Sequence, residues 1–84
     1  MRSVDDSISK AYIAPENFDP PYRHSGHVER PDGTLEFSPV FGTILEAVEW
    51  ARATTDFVVA RESEGPYVWY GRGPAPSDYE TPPN

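Results

Sequence analysis

Two histidines and a glutamate lie close together in the N-terminal half of the chain, in the pattern His24-x-x-His27-x-Glu29. Imidazoles three residues apart can converge on one zinc ion where the backbone geometry allows it. A structural zinc site needs about four ligands, however, and the chain contains no cysteine and no second cluster to complete the set. We therefore predict no metal site and no cofactor, and His24 and His27 are the only candidate ligands.

Carboxylates are the second residue type that could do chemistry. We expect Glu29 and Glu36 to face each other across a predicted hairpin, while Glu62 and Glu64 lie at a predicted loop. A carboxylate pair acts as general acid and base only where burial separates the two pKa values, and exposed hairpin positions do not provide that burial. The serines lack a nucleophile elbow, and the G-R-G run at 71–73 has no following helix to hold a phosphate. The sequence predicts no catalytic residues and no enzyme.

Aromatic side chains give the strongest functional signal. Trp and Tyr combine a large contact area with a polar end, and both are enriched at binding hot spots. The same side chains also supply core volume, since a chain of 84 residues buries only about 60% of its unfolded surface. A partner-binding surface and the core itself are both open interpretations. The candidate partner-binding residues are Trp50, Tyr67, Trp69 and Tyr70.

The charge of the chain is acidic and evenly distributed. The net charge is −7 and the pI is near 4.5. Residues 1–42 carry 4 basic and 7 acidic groups, and residues 43–84 carry 3 and 7. Direct binding to nucleic acid needs clustered Lys or Arg to replace counterions on phosphates, so we do not expect it. Negative charge in both halves favours solubility, or steering toward a basic protein.

No segment of the sequence predicts export or membrane insertion. The first ten residues, MRSVDDSISK, contain no apolar run typical of a signal peptide. No stretch approaches the roughly 20 apolar residues that span a bilayer. The absence of cysteine fits a reducing compartment and excludes a disulfide framework. We expect a soluble, cytoplasmic protein without membrane contact.

The elements that would position these side chains lie between residues 25 and 73. Polar and apolar residues alternate over 27–37 on either side of the P-D-G turn at 31–33, which predicts a β-hairpin. Thr43 and Glu46 have the T-x-x-E spacing of a capping box, which predicts that a helix begins at Thr43. The predicted buried face of this helix consists of Ile44, Leu45, Ala47, Val48 and Ala51, with Trp50 on its flank.

A second hairpin is predicted from residues 57–61 and 66–70, which are apolar on both faces. Strand alternation places Phe57, Val59, Tyr67 and Trp69 on one face and Val58, Ala60, Val68 and Tyr70 on the other. The order β-β-α-β-β predicts an α+β domain, an antiparallel sheet of about four strands with one helix packed on one face. The other face must then be covered by the segment 11–24, by a second copy of the chain, or by a different partner.

Proline marks both ends of the chain. The ten prolines lie mainly in the segments APENFDPPYR and GPAPSDYETPPN. We predict an extended, partly disordered arm over 1–24, a single α+β domain over 25–73, and a disordered acidic tail over 74–84. Such compositions bury too little surface to offset the entropy lost on ordering.

These patterns favour a small interaction or regulatory protein that binds another protein, or a second copy of itself, through an aromatic sheet face or an edge strand. An inhibitor or immunity-type protein that blocks a basic, nucleic-acid-binding site is one concrete form of this hypothesis. The alternative is a small-molecule or metal binder, with a site formed by aromatic residues and His24 or His27, either within one chain or at a dimer interface. A third hypothesis is a structural subunit of a larger complex.

Overall fold

One five-stranded β-sheet organises the residues that the computed structural model describes, 8–17, 19, 21–62 and 65–81. The elements are β1 (Lys10–Pro15), β2 (His24–Glu29), β3 (Leu35–Phe37), α1 (Ile44–Arg52), β4 (Phe57–Ala60) and β5 (Val68–Trp69). The strand order is β3-β2-β1-β4-β5, and every neighbouring pair is antiparallel except β1 and β4. The helix packs on one face of the sheet, so the predicted α+β architecture is confirmed.

The order of elements differs from the prediction because the predicted N-terminal arm contributes a strand. Residues 10–15 form β1 at the centre of the sheet, antiparallel to β2 and parallel to β4. Ala11 and Ile13 are fully buried on the helix side. Alternation over so short a segment, next to prolines, gives only a weak strand signal. The sheet therefore has five strands, in the order β-β-β-α-β-β.

The first predicted hairpin is present as β2 and β3. The register pairs His27 with Phe37 and Glu29 with Leu35. Gly33 has a φ of +91°, which glycine adopts without the steric cost of a Cβ atom. The hairpin is therefore closed by local turn chemistry, as its sequence predicts.

The helix begins where the capping box predicts. Thr43 is the N-cap, its hydroxyl accepts from the N–H of Glu46 at 3.2 Å, and the Glu46 carboxylate accepts from the N–H of Thr43 at 3.1 Å. The buried positions are Ala47, Val48 and Ala51. Leu45 is 61% exposed, so the predicted buried face was too broad. At 100° per residue Leu45 lies about 110° from the centre of the buried positions.

The second hairpin has the predicted division of faces. Val58, Ala60 and Tyr70 lie in the cluster on the helix side, whereas Phe57, Val59, Tyr67 and Trp69 lie in the cluster on the opposite face. Tyr12, Ala75 and Tyr79 pack against that second cluster. The backbone N–H of Trp69 donates to the carbonyl of Glu80 at 2.7 Å, which holds the segment 74–81 beside β5. Part of the second face is thus covered from within the chain.

The domain limits taken from composition stay predictions. The structure places residues 10–15 in the sheet and residues 74–81 beside β5. The first seven residues of the predicted arm and the last three of the predicted tail lie outside the described residues.

Candidate functional site

The four aromatic residues predicted to bind a partner do not form one surface. Trp50 and Tyr70 are half-buried against the cluster on the helix side, while Tyr67 and Trp69 lie on the opposite face. The Trp69 side chain is 7% exposed and packs edge-on against the ring of Phe57, with 5.0 Å between centroids. Its indole N–H donates to the carbonyl of Gly73 at 3.1 Å. Trp69 is a core residue, and Tyr67 is the aromatic candidate that lines a groove.

The two histidines lie on opposite faces of β2, because they are three positions apart in an alternating strand. His24 is 5% exposed on the helix side. His27 stacks on the ring of Tyr12 at 5.5 Å between centroids, and its Nε2 atom lies 3.0 Å from Oε2 of Glu29. The fold therefore does not bring His24 and His27 to one ion. Within residues 8–17, 19, 21–62 and 65–81, no three His, Cys, Asp or Glu side chains are arranged to hold a metal.

The sheet face opposite α1 is open along β2 and β3. The segment 74–81 covers the β4 and β5 half of this face. On the other half Phe37 is 71% exposed and Leu35 is 50% exposed. Both side chains share a face with His27 and Tyr12, as the strand register requires. We call the surface formed by Tyr12, His27, Leu35 and Phe37 the open half-face.

Leu35 and Phe37 were absent from the predicted site. Their alternation with Glu36 predicts a strand of the first hairpin and does not by itself indicate a binding surface. The signal for a binding surface comes from their position, because β3 is the terminal strand and the covering segment 74–81 packs at the other side of the sheet.

A groove of about 260 Å³ lies between the open half-face and Tyr67. Its walls include the side chains of Tyr12, Glu16, Ser25, His27, Phe37 and Tyr67. Tyr67 stands edge-on to Tyr12, with 5.9 Å between centroids. The Ser25 hydroxyl donates to the Glu16 carboxylate. Aromatic walls with a carboxylate at one side suit an apolar or cationic side chain of an extended segment.

The backbone of β3 is available along its outer edge. The carbonyl of Thr34 and the N–H of Ser38 both bond to the β2 side, with N···O distances of 2.9 Å. Because hydrogen-bonded pairs alternate along an antiparallel ladder, Glu36 is the next residue that faces β2. The N–H and C=O groups of Leu35 and Phe37 therefore point away from β2. Among the strands that the structure describes, none pairs with β3 on that side.

Known proteins do not assign a function to this site. Comparison with family models, curated proteins and solved structures finds no match for this chain. A search of the described helix also finds no segment with the length and apolar character needed to cross a membrane. Its function is therefore inferred from the contacts, charges and exposed groups of the chain itself.

A second cavity, of about 360 Å³, lies on the helix side of the sheet. The described residues that line it are Tyr22, His24, Ile44 and Glu62. The backbone of His24 exchanges two hydrogen bonds with Phe41, at 2.9 and 2.7 Å. Neither ring nitrogen of His24 has a hydrogen-bond partner among the described residues. Buried polar atoms without partners are rare, which distinguishes this cavity from the groove on the opposite face.

Burial raises the pKa of three tyrosines above the ordinary value of 10.0. For Tyr12, the neighbouring charges of Tyr79, Glu29 and Tyr67 raise the pKa further. For Tyr79, the charges of Asp78 and Tyr67 act in the same direction. The pKa of Tyr70 is raised mainly by burial and further by the charge of Glu62. Each phenol therefore holds its proton more tightly in the folded protein than in the unfolded chain.

We expect the free energy of unfolding to fall as the pH rises above about 10, because the unfolded chain then loses tyrosine protons that the folded protein still holds. The stabilisation that comes from these protonated phenols is fully present below the pKa of the unfolded chain. It is lost as the pH rises through the raised pKa of the folded protein. Urea unfolding at about pH 8 and about pH 11 measures the difference. The double variant Tyr12→Phe/Tyr79→Phe should lose less stability between the two pH values. An equal loss in the variant and the parent would contradict the assignment to these two phenols.

Proposed function

We propose that the protein binds an extended segment of a basic protein along the outer edge of β3, with side chains of that segment on the open half-face. The observation that carries this proposal is the exposure of Phe37, 71%, on a terminal strand. Edge strands that avoid pairing are commonly blocked by proline or by charged side chains. In β3 the one charged side chain, Glu36, lies on the other face and pairs with Arg30. The two side chains that β3 contributes to the open half-face, Leu35 and Phe37, are therefore both apolar.

Strand addition fits the backbone geometry of β3. A partner strand would exchange hydrogen bonds with the outward N–H and C=O groups of Leu35 and Phe37. Alternate side chains of that strand would stand beside Leu35 and Phe37 on the same face of the sheet, and a long Lys or Arg side chain there would reach the Phe37 end of the groove. Backbone pairing supplies affinity in this mode, and the groove supplies specificity.

Charge favours a basic partner over a second copy of the chain. The protein carries a net charge of −7, and Glu16 and Glu29 stand at the groove and the open half-face. Two copies paired through β3 would bring like charges together, which opposes association. A Lys or Arg side chain of a partner would meet carboxylates and aromatic rings, both of which attract cations. An inhibitor or immunity-type protein directed at a basic, nucleic-acid-binding site is one concrete form of this function.

Replacing Phe37 with glutamine is expected to weaken binding about tenfold or more, since a protruding aromatic anchor carries a large share of binding energy. The probe is a peptide of alternating lysine and valine, followed by NMR chemical-shift titration of the backbone amides. The amides of Leu35 and Phe37 should shift and saturate. The matched control is Leu45→Gln, which removes an exposed apolar side chain from α1 instead.

Three results would count against this function. The first is equal affinity of the parent and Phe37→Gln. The second is equal binding of an alternating glutamate and valine peptide, which would remove the charge argument. The third is a dimer in light scattering, near twice 9.4 kDa, that Phe37→Gln converts to monomer. That dimer would assign the β3 edge to a second copy rather than to a basic partner.

A further inference from the structure

We propose that the cavity on the helix side is a second binding site, for a small organic amine that also carries a hydroxyl group. The site lies on the opposite face of the sheet from the open half-face, so it is independent of the proposed protein partner. It combines a buried imidazole and a carboxylate, neither of which has a partner among the described residues, with apolar walls.

The buried imidazole of His24 is the main observation. The residue is 5% exposed, and neither Nδ1 nor Nε2 has a partner among the described residues. A neutral imidazole offers one donor and one acceptor, and burying both without partners destabilises the protein. The ring lines the cavity. A ligand hydroxyl, which donates and accepts, would satisfy one of these nitrogens.

Glu62 gives the cavity its charge preference. Its carboxylate lines the cavity and makes no hydrogen bond or ion pair with the described residues. Its negative charge contributes to the raised pKa of Tyr70. Of the described residues that line the cavity, none is a lysine or arginine. An ammonium group would be attracted to Glu62, and an anion would be repelled.

The adjacent helix N-terminus does not reverse this preference. The first turn of α1 begins with Ile44, which lines the cavity. The capping box of Thr43 and Glu46 already places a carboxylate at this end of the helix. The positive end of the helix dipole is therefore partly neutralised before any ligand binds.

The size and walls of the cavity fit a small ligand. Its volume, about 360 Å³, lies at the lower end of the range of roughly 300–1,000 Å³ for small-molecule sites. Ile44 and the ring of Tyr22 provide the apolar surface. A ring-sized apolar group would lie on these two side chains while its amine faces Glu62 and its hydroxyl faces His24.

Three related probes test the proposal on the full chain, phenylethanolamine, phenethylamine and mandelate. NMR titration of the His24 imidazole and thermal unfolding report binding. We expect saturable shifts of the His24 ring with phenylethanolamine, and binding about fivefold weaker for phenethylamine, which lacks the hydroxyl. Mandelate, which keeps the ring and hydroxyl but carries a carboxylate, should leave the His24 ring and the melting temperature unchanged.

Two variants and one control separate the contributions. His24→Leu should melt at or above the temperature of the parent, since it removes two unpaired buried nitrogens, and should abolish the advantage of the hydroxyl. Glu62→Gln should weaken binding of both amines about threefold. Glu49→Gln, which removes an exposed carboxylate of α1 that does not line the cavity, should leave the binding of both amines unchanged. The proposal is overturned by the absence of saturable shifts with either amine, by mandelate binding as tightly as the amines, or by a hydroxyl advantage that survives in His24→Leu.

Discussion

Replacing Trp69 with alanine is expected to lower the free energy of unfolding by about 3–5 kcal/mol, a large fraction of the total for a chain of this size. The indole is 7% exposed and packs on Phe57, and its N–H bonds to the carbonyl of Gly73. Its loss leaves a cavity under the segment 74–81 and an unpaired carbonyl. Urea unfolding followed by circular dichroism measures the change in free energy.

The control for this prediction is Leu45→Ala, which shortens a side chain that is 61% exposed. That variant should stay within about 0.5 kcal/mol of the parent. A Trp69→Ala variant as stable as the parent would show that the indole is not part of the core. Trp69 would then again be a candidate for the partner-binding surface. If the prediction holds, loss of partner binding in Trp69→Ala reports unfolding. Phe37, which is exposed, is the residue that separates binding from folding.

Replacing Gly71 with alanine is expected to lower the free energy of unfolding by about 2–3 kcal/mol. A Cβ atom at this position would clash with the backbone carbonyl of Asp56 and lie 2.6 and 2.8 Å from two atoms of the Trp69 ring. The backbone cannot easily move away, because the N–H of Arg72 donates to the same carbonyl of Asp56 at 2.9 Å. The cost therefore comes from close approach, and it is measured by urea unfolding.

Gly65 provides the matched control. A Cβ atom at Gly65 has no heavy atom within 4 Å, and its φ is not positive. Gly65→Ala should therefore be neutral, or stabilise by up to about 1 kcal/mol through the lower entropy of the unfolded chain. Equal unfolding midpoints for Gly71→Ala and Gly65→Ala would show that residues 70–73 are not held against Asp56.

The two faces of the sheet are covered differently. The helix side holds the larger cluster of fully buried residues and the cavity at His24. On the opposite face, the segment 74–81 packs over Phe57 and Trp69, while Leu35 and Phe37 stay exposed. Among the described residues, one helix and one covering segment do not reach all five strands, so no strand pairs with the outer edge of β3.

Local features were predictable because their causes lie within a few residues. The capping box of Thr43 and Glu46 set the start of α1, and the turn at 31–33 set the β2–β3 hairpin. Alternation correctly divided residues 57–60 and 67–70 between two faces, one on the helix side. The helix stripe was less well predicted, since Leu45 is exposed although its neighbours are buried.

The candidate site was only partly predictable from the sequence. Residue type alone predicts both Tyr67 and Trp69 as binding residues, but Tyr67 lines the groove and Trp69 is buried. Leu35 and Phe37 carry no functional signature of their own. The role proposed for them depends on β3 being a terminal strand, which is a property of the whole sheet.

By itself, the sequence determined the α+β class, the start of the helix, both hairpins, and the presence of apolar residues on both faces of the second hairpin. These follow from caps, turns and strand period, which act over short distances along the chain. Only the tertiary structure decided that residues 10–15 lie between β2 and β4, that residues 74–81 cover half of one face, and that no described strand pairs with the outer edge of β3. Those outcomes depend on which distant surfaces fit together, such as Lys10 beside Phe57, and no local pattern encodes that fit.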